Sequence, residues 1–296
     1  MKDRNRMTGQ FLLLPATFYL TAMTIFPLVY MVYLSFVDWN LTEAKITFVG
    51  LQNYVQILTP GSFFYYSAEL TLLYGAGVTT VELFFGLGVA LLLNREGKLA
   101  AFTTQLTILP LMMTPILIDM VWKYIYNPLL GPFTYYASLL GIMEPNFLDA
   151  APNVFYSLMI VDVWQWAPFM MLILLAGLLS VPREQLEAAI VDGADTWTRF
   201  RHIILPWLGP VILVAVLFRL IDSFKVFNKI YILTAGGPGR LTETLSYNIF
   251  YYSIGFTQDI GYGATASVLY MLIVMAICMS LIVVVFRRVS GTGETR

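Results

Sequence analysis

The chain has 296 residues, of which 58% are hydrophobic and only 12% charged. Soluble domains hold roughly 45–50% apolar and about 25% charged residues, so the solvent this sequence suits is a bilayer. A net charge of −1, with Cys278 and His202 the single residues of their types, excludes a nucleic-acid binder, a disulfide framework and a thiolate or histidine metal site.

Six apolar runs follow in order: 11–36, 66–93, 101–124, 153–180, 207–232 and 264–286. Each reaches the ~20 residues a helix needs to cross the hydrocarbon. The runs are continuous rather than alternating, which predicts an all-α integral membrane protein and not a β-barrel. The first run is longer than the apolar core of a cleaved leader and lacks a clear small-residue cleavage site, so it reads as a span.

Lys and Arg set the orientation. Lys2, Arg4 and Arg6 precede the first run, and Arg95 and Lys98 follow the second. Arg183, Arg199 and Arg201 follow the fourth, and Arg287, Arg288 and Arg296 follow the last. These are eleven of 17 basic residues, against Lys45 and Arg240 in the opposite loops. The positive-inside rule predicts both termini in the cytoplasm. On that reading residues 1–10 are a cytoplasmic N-terminus, 11–290 the transmembrane domain and 291–296 a cytoplasmic tail. The external segments are 37–65, 125–152 and 233–263. Their Trp39, Tyr54, Tyr65, Tyr66, Tyr124, Tyr126, Tyr251 and Tyr252 are expected at headgroup level.

Ionisable groups inside the spans are costly unless paired or hydrated. Glu82 stands alone in the second span. Asp119 and Lys123, four residues apart in the third, are expected to pair. Asp162 shares a face with Trp166 and Phe169 in the fourth. Arg219, Asp222, Lys225 and Lys229 follow helical spacing in the fifth and cover an arc of roughly 120°. Two readings are open. The groups line a hydrated cavity whose carboxylates and rings suit a sugar, or they are salt bridges joining helices.

Residues 181–206, VPREQLEAAIVDGADTWTRFRHIILP, form the longest internal loop and read as two short helices. Pro182 suits a first turn, Gly193 permits a sharp bend and Asp195 can cap a second helix over Thr196–Ile204. Leu186, Ala189, Ile190 and Gly193 share a face, so the hairpin lies on the lipid surface or docks on a partner.

Glu187-Ala188-Ala189, Asp192-Gly193-Ala194 and Phe200, Ile203, Leu205 and Pro206 resemble the EAA loop of ABC-importer permeases. Three more stretches are similar to the maltose-type sugar-permease branch: Phe48–Tyr54 (FVGLQNY); Leu109-Pro110 with Trp122-Lys123 and Asn127-Pro128; and Phe224–Phe227 running on to Leu233–Pro238 (LTAGGP).

The resemblance implies a type I importer permease fold in the cell (inner) membrane. Six spans surround a path for a sugar or polyol, with lipid outside. It implies a second homologous permease, an ABC ATPase dimer that holds ATP and Mg, and an extracytoplasmic solute-binding protein. In the family the EAA loop docks on the ATPase, which carries that role to Glu187, Ala188, Ala189, Asp192, Gly193, Ala194 and Phe200. The family's mid-membrane site maps to Leu111, Met120, Trp166, Phe169, Asp222 and Ser223, with Lys225 and Phe227 close by; Asp119 joins them as a cavity candidate. Where the family can carry amides after the EAA loop, this chain has Asp222, Ser223 and Lys225, which alters the hydrogen-bonding code.

No GxxxxGK[ST] loop occurs, since Leu99 follows the only Gly-Lys pair, Gly97-Lys98; no cofactor is expected on this chain and energy must come from another. An ion-coupled secondary transporter is the alternative that would also use buried Asp and Lys. A membrane enzyme finds no nucleophile–base pair beyond His202 in the loop.

Overall fold

The computed structural model describes residues 2–43, 45–95, 97–141, 146–151 and 153–291. Arg296 and the rest of the 292–296 tail lie outside the described residues. The chain divides into two compact units, one of Met1–Tyr66 with Asn248–Ile273, the other of Ser67–Tyr247 with Val274–Arg296.

In the first unit α1 (Lys2–Leu34) supplies a span over Leu13–Leu34. Its Phe18, Leu20, Met23 and Phe26 are exposed, so this helix relies on lipid or another subunit to cover it. A short antiparallel hairpin follows, β1 (Val37–Trp39) on β2 (Ile46–Phe48), with Val37 opposite Phe48. Gly50 (φ +59°) turns the chain into α2 (Gln52–Ile57). There Asn53 Nδ2 donates to the carbonyls of Ser35 (3.1 Å) and Val37 (2.9 Å), and the Tyr54 hydroxyl lies 2.7 Å from Ser35 Oγ. The FVGLQNY stretch therefore closes the hairpin back onto the end of the first span. Tyr54 is tied down by its hydroxyl rather than left as a simple interfacial anchor.

The second unit holds the next spans. The second span is α3 (Phe63–Leu93). The third is broken: α4 (Lys98–Ile108) and a 3₁₀ turn (Leu109–Met112) meet α5 (Pro115–Ile125) at 94°. The apolar run 101–124 predicts one span here. The correction lies at Pro115: proline cannot donate, and it forces the residue before it out of helical backbone, whereas Leu109 before Pro110 keeps helical angles (φ −50°, ψ −42°). Thr114 is extended (ψ 130°) and Pro115 opens α5. Then α6 (Pro132–Leu139) leads to α7 (Asn153–Leu179). Tyr126 is buried within the protein. Its hydroxyl donates to Ser157 O (3.2 Å), and its ring packs among Trp122, Phe133 and Phe147.

The loop beyond α7 forms α8 (Arg183–Val191) and α9 (Thr196–Arg199), the expected hairpin. The second arm does not stop before the next span. A five-residue π segment (Phe200–Ile204) carries it into α10 (Leu205–Phe224), giving one 29-residue rod from Thr196 to Phe224. The fifth span thus starts earlier and ends earlier than 207–232. After it, α11 (Asn228–Leu233) is a separate short helix. No proline or glycine breaks the chain at 225–227; the break lets Lys229 reach partners on α5 and α7, a tertiary demand that outweighs local propensity. The chain ends through α12 (Leu245–Phe250), a second π segment (Tyr251–Gly255) and α13 (Ile260–Gly291).

Among the described residues five helices are long and apolar enough to cross a membrane, and the bent pair makes six. The core of the second unit joins α3, α7 and α10 through Ala90, Met171, Leu174, Leu178 and Leu208. Glycines set the approach. A Cβ on Gly86 would lie 2.8 Å from Met170 Cβ and 2.9 Å from Met171 N, and one on Gly177 would lie 2.7 Å from Leu208 Cδ2. Close packing at small residues is what holds helices together where lipid removes the hydrophobic drive.

Candidate functional site

The last turns of α10 carry Arg219, Asp222 and Ser223, at i, i+3 and i+4, so all three project from one side. Arg219 is buried and faces three carboxylates. Its Nε donates to Glu82 Oε2 (2.5 Å) and its Nη2 to Glu82 Oε1 (2.9 Å), a bidentate fork across to α3. Nη2 also donates to Asp162 Oδ2 on α7 (2.6 Å), and Nη1 to Asp222 Oδ2 (3.1 Å). Only a planar guanidinium offers donors in these directions at once.

A second cation sits beside the first. Lys229, on α11, donates to Asp119 Oδ1 on α5 (3.2 Å) and Gln165 Oε1 on α7 (3.2 Å), and lies 3.5 Å from Asp162 Oδ1. Asp162 therefore bridges Arg219 and Lys229. Buried charges this close satisfy one another, where each alone would be costly. Two expectations need correction. Glu82 is not solitary, because Arg219 reaches it from a helix 137 positions away in sequence. Asp119 does not pair with Lys123; Lys123 donates instead to Ile232 O (2.7 Å), while Asp119 takes Lys229. Nor do the four charges of 219–229 share one helix face, since the chain breaks between Lys225 and Lys229.

Above this cluster lies an open cleft of about 140 Å³. Trp166, Asp222, Lys225, Phe227 and Asn228 line it, with Pro115, Ser223 and the buried pairs beneath. Asp222 differs from the other carboxylates, since half of its side chain (52%) is exposed. One carboxylate edge is held by Arg219; the rest faces the opening. The Trp166 ring has the Arg219 guanidinium 5.3 Å from its centroid and Phe169 edge-on at 6.4 Å. Such a cation–π contact fixes the ring's plane. The site thus brings together Asp119, Trp166, Asp222, Ser223 and Lys225. Leu111, Met120 and Phe169 do not line it: Met120 is exposed elsewhere on α5, and Phe169 acts only through Trp166. Gln165 and Asn228, two amides, line the cleft and were not anticipated; Gln165 is one residue before Trp166, and its i+3 spacing from Asp162 was the available signal.

The 181–206 hairpin is a second feature. Gly193 has φ +82° and no atom within 4 Å of where a Cβ would stand, so it serves the turn alone. Asp195 caps α9 by accepting from Thr198 N (2.9 Å). Those bonds hold its carboxyl below the usual carboxylate range. Glu187, Ala188, Val191 and Asp192 are exposed, Ala189, Ala194 and Phe200 half-buried, and Trp197 stacks on Phe200 at 5.6 Å. His202 is exposed, with Nδ1 3.1 Å from Thr198 O.

Broken and continuous spans around a charge-lined cleft, with a protruding helical hairpin between two of them, define a polytopic transport subunit. The chain belongs to the family of binding-protein-dependent transport system inner membrane components, whose family model matches residues 82–291. It is 34% identical over 277 residues to the trehalose/maltose transport system permease protein MalF of Thermococcus litoralis, covering 93% of this chain and 92% of that one. It is 33% identical to the trehalose transport system permease protein SugA of Mycobacterium tuberculosis, over 95% of this chain and 88% of that one. A crystal structure of a bacterial ABC transporter involved in the import of the acidic polysaccharide alginate shares the fold, with a TM-score of 0.83 at 18% identity over 97% of this chain and 98% of that one. Membership of this family displaces the ion-coupled and enzymatic alternatives.

Proposed function

We propose that the chain is one permease subunit of an ATP-driven importer for a sugar or polyol, forming the translocation path with a second, homologous permease. ATP and Mg belong to a partner ATPase dimer, and an extracytoplasmic binding protein delivers the substrate. Both termini and the 181–206 hairpin face the cytoplasm. Glu187, Ala188, Ala189, Asp192, Gly193, Ala194 and Phe200 seat in the ATPase. Because the hairpin's second arm runs unbroken into α10, a movement of the hairpin is transmitted along one rod to Asp222.

The cleft carries this reading. A sugar presents hydroxyls that both donate and accept, and C–H faces that stack on aromatic rings. Asp222 accepts, Lys225 donates, Asn228 does both, and Trp166 and Phe227 supply rings. The relatives transport trehalose and maltose by name, which agrees with that chemistry.

The test is reconstitution with the partner permease, ATPase and binding protein in vesicles, followed by ATP-dependent uptake across a panel of sugars and polyols. Uptake of at least one is expected, and uptake of none, with an assembled ATPase, would sink the reading. Ala188→Trp should abolish co-purification of the ATPase by bulk alone. Unchanged stoichiometry would remove the hairpin from the interface.

A further inference from the structure

The cleft's charge balance bears on which sugars it admits, an inference that rests on the reading just given. Four carboxylates, Glu82, Asp119, Asp162 and Asp222, surround two buried cations, Arg219 and Lys229. Both cations line the cleft, but each is engaged on carboxylates. Lys123, one turn past Asp119, is spent on the Ile232 carbonyl. Lys225 at the rim is exposed, but Asp222 stands three residues before it on the same helix end. At formal charge these four carboxylates outnumber the three cations of the cleft, Arg219, Lys229 and Lys225, by one. If the cluster held one extra proton the sum would be zero, and there would still be no surplus cation.

We infer that this cleft selects neutral hydroxylated ligands and rejects their carboxylate-bearing counterparts, with Asp222 as the specificity-determining residue. A uronate placed against Trp166 would bring its charge beside the exposed oxygen of Asp222 and meet only Lys225, at the rim, as an exposed cation in return. Repulsion between like charges in a partly dry site is strong enough to set selectivity. A neutral sugar meets Asp222 as a hydroxyl donor, which is the favourable case. Arg219 acts as a positioning residue, holding the other carboxylate edge so that the charge cannot turn away.

The experiment measures equilibrium binding to the assembled transporter in lipid nanodiscs without the binding protein, whose own preference would mask that of the cleft. The probes are maltose and trehalose, and each oxidised to a carboxylate at one C6. The wild type should bind the neutral form about tenfold or more tightly than its carboxylate. Asp222→Asn should shrink that ratio several-fold, chiefly by improved carboxylate binding, and Lys225→Gln should enlarge it. Equal or tighter binding of the carboxylates by the wild type would overturn the inference while leaving the sugar-importer reading intact. A ratio unchanged in Asp222→Asn would remove that residue from the role. If none of the four binds while the complex still hydrolyses ATP, the cleft is not the sugar site and this inference falls with it, whereas uptake in vesicles would still stand as evidence for the transporter.

Discussion

At Arg219 the guanidinium meets three carboxylates, and the consequence of each substitution follows from which partner is left unpaired. Asp222→Asn removes the outermost of the three. Glu82 and Asp162 still hold Arg219 at 2.5 and 2.6 Å, so no buried cation is stranded and the subunit should assemble normally. Uptake should fall about five- to thirtyfold, matching about 1–2 kcal/mol for a weakened charge-assisted hydrogen bond to substrate. Normal assembly with unchanged uptake would return Asp222 to a hydrated periphery. Arg219→Met acts in the opposite way. It leaves Glu82 buried without its cation, at a cost of about 3–5 kcal/mol, and the subunit should not accumulate in the membrane. Pairing it with Glu82→Leu should restore much of the yield, because Asp162 keeps Lys229 at 3.5 Å. Fluorescence-detected size exclusion of the two variants reads this directly, and equal yields for single and double would disprove the coupling. The ionisable residues were legible from the sequence because charge within an apolar run stands out. Their partners were not, because Glu82–Arg219 and Asp119–Lys229 cross between helices more than a hundred residues apart, and spacing rules reach only along one helix.

At the scale of elements, hydropathy located the spans and prolines marked their interruptions where prolines exist. Pro110 and Pro115 flank the 94° bend, so that break was readable in principle. The break at 225–227 carries no such mark, and only the packing of α11 on α5 explains it. The α8–α9 hairpin was readable for a different reason: Gly193 and Asp195 act through local backbone alone. That locality makes a clean prediction. A Cβ at Gly193 meets nothing, so the whole penalty of substitution is its left-handed φ. Gly193→Val should cost about 1–2 kcal/mol of hairpin stability and lower substrate-stimulated ATPase activity, whereas Gly193→Asn, which tolerates that φ, should stay near wild type. Equal activity in both would mean that the bend does not matter for coupling. Gly86 tests close packing instead. A side chain there runs into the Met171 backbone, so Gly86→Val should cost about 1–3 kcal/mol and lower the Tm of the detergent-solubilised subunit by several degrees.

For the whole molecule the open question is sidedness, and the second unit bears on it. Its core cluster gathers the end of α3 (Ala90), the end of α7 (Leu174 and Leu178) and the start of α10 (Leu208), so these three ends lie together. The segments leaving that region carry Arg95, Lys98, Arg183 and Arg201, all exposed, and the half-buried Arg199. Basic residues in short loops resist translocation and so mark the cytoplasmic side. The cleft, with Asp162, Arg219 and Asp119, belongs to the other ends of the same helices, and the loop with Leu129 follows α5 there. The single cysteine makes the test simple. With Cys278→Ser as background, Glu184→Cys on the hairpin and Leu129→Cys on the opposite loop are both exposed sites. In intact spheroplasts a membrane-impermeant maleimide should label the cysteine at 129 and spare the one at 184, and permeabilisation should expose both. The reverse pattern would invert the chain in the membrane, put the hairpin out of reach of any cytoplasmic ATPase, and so reject the proposed coupling as well as the orientation.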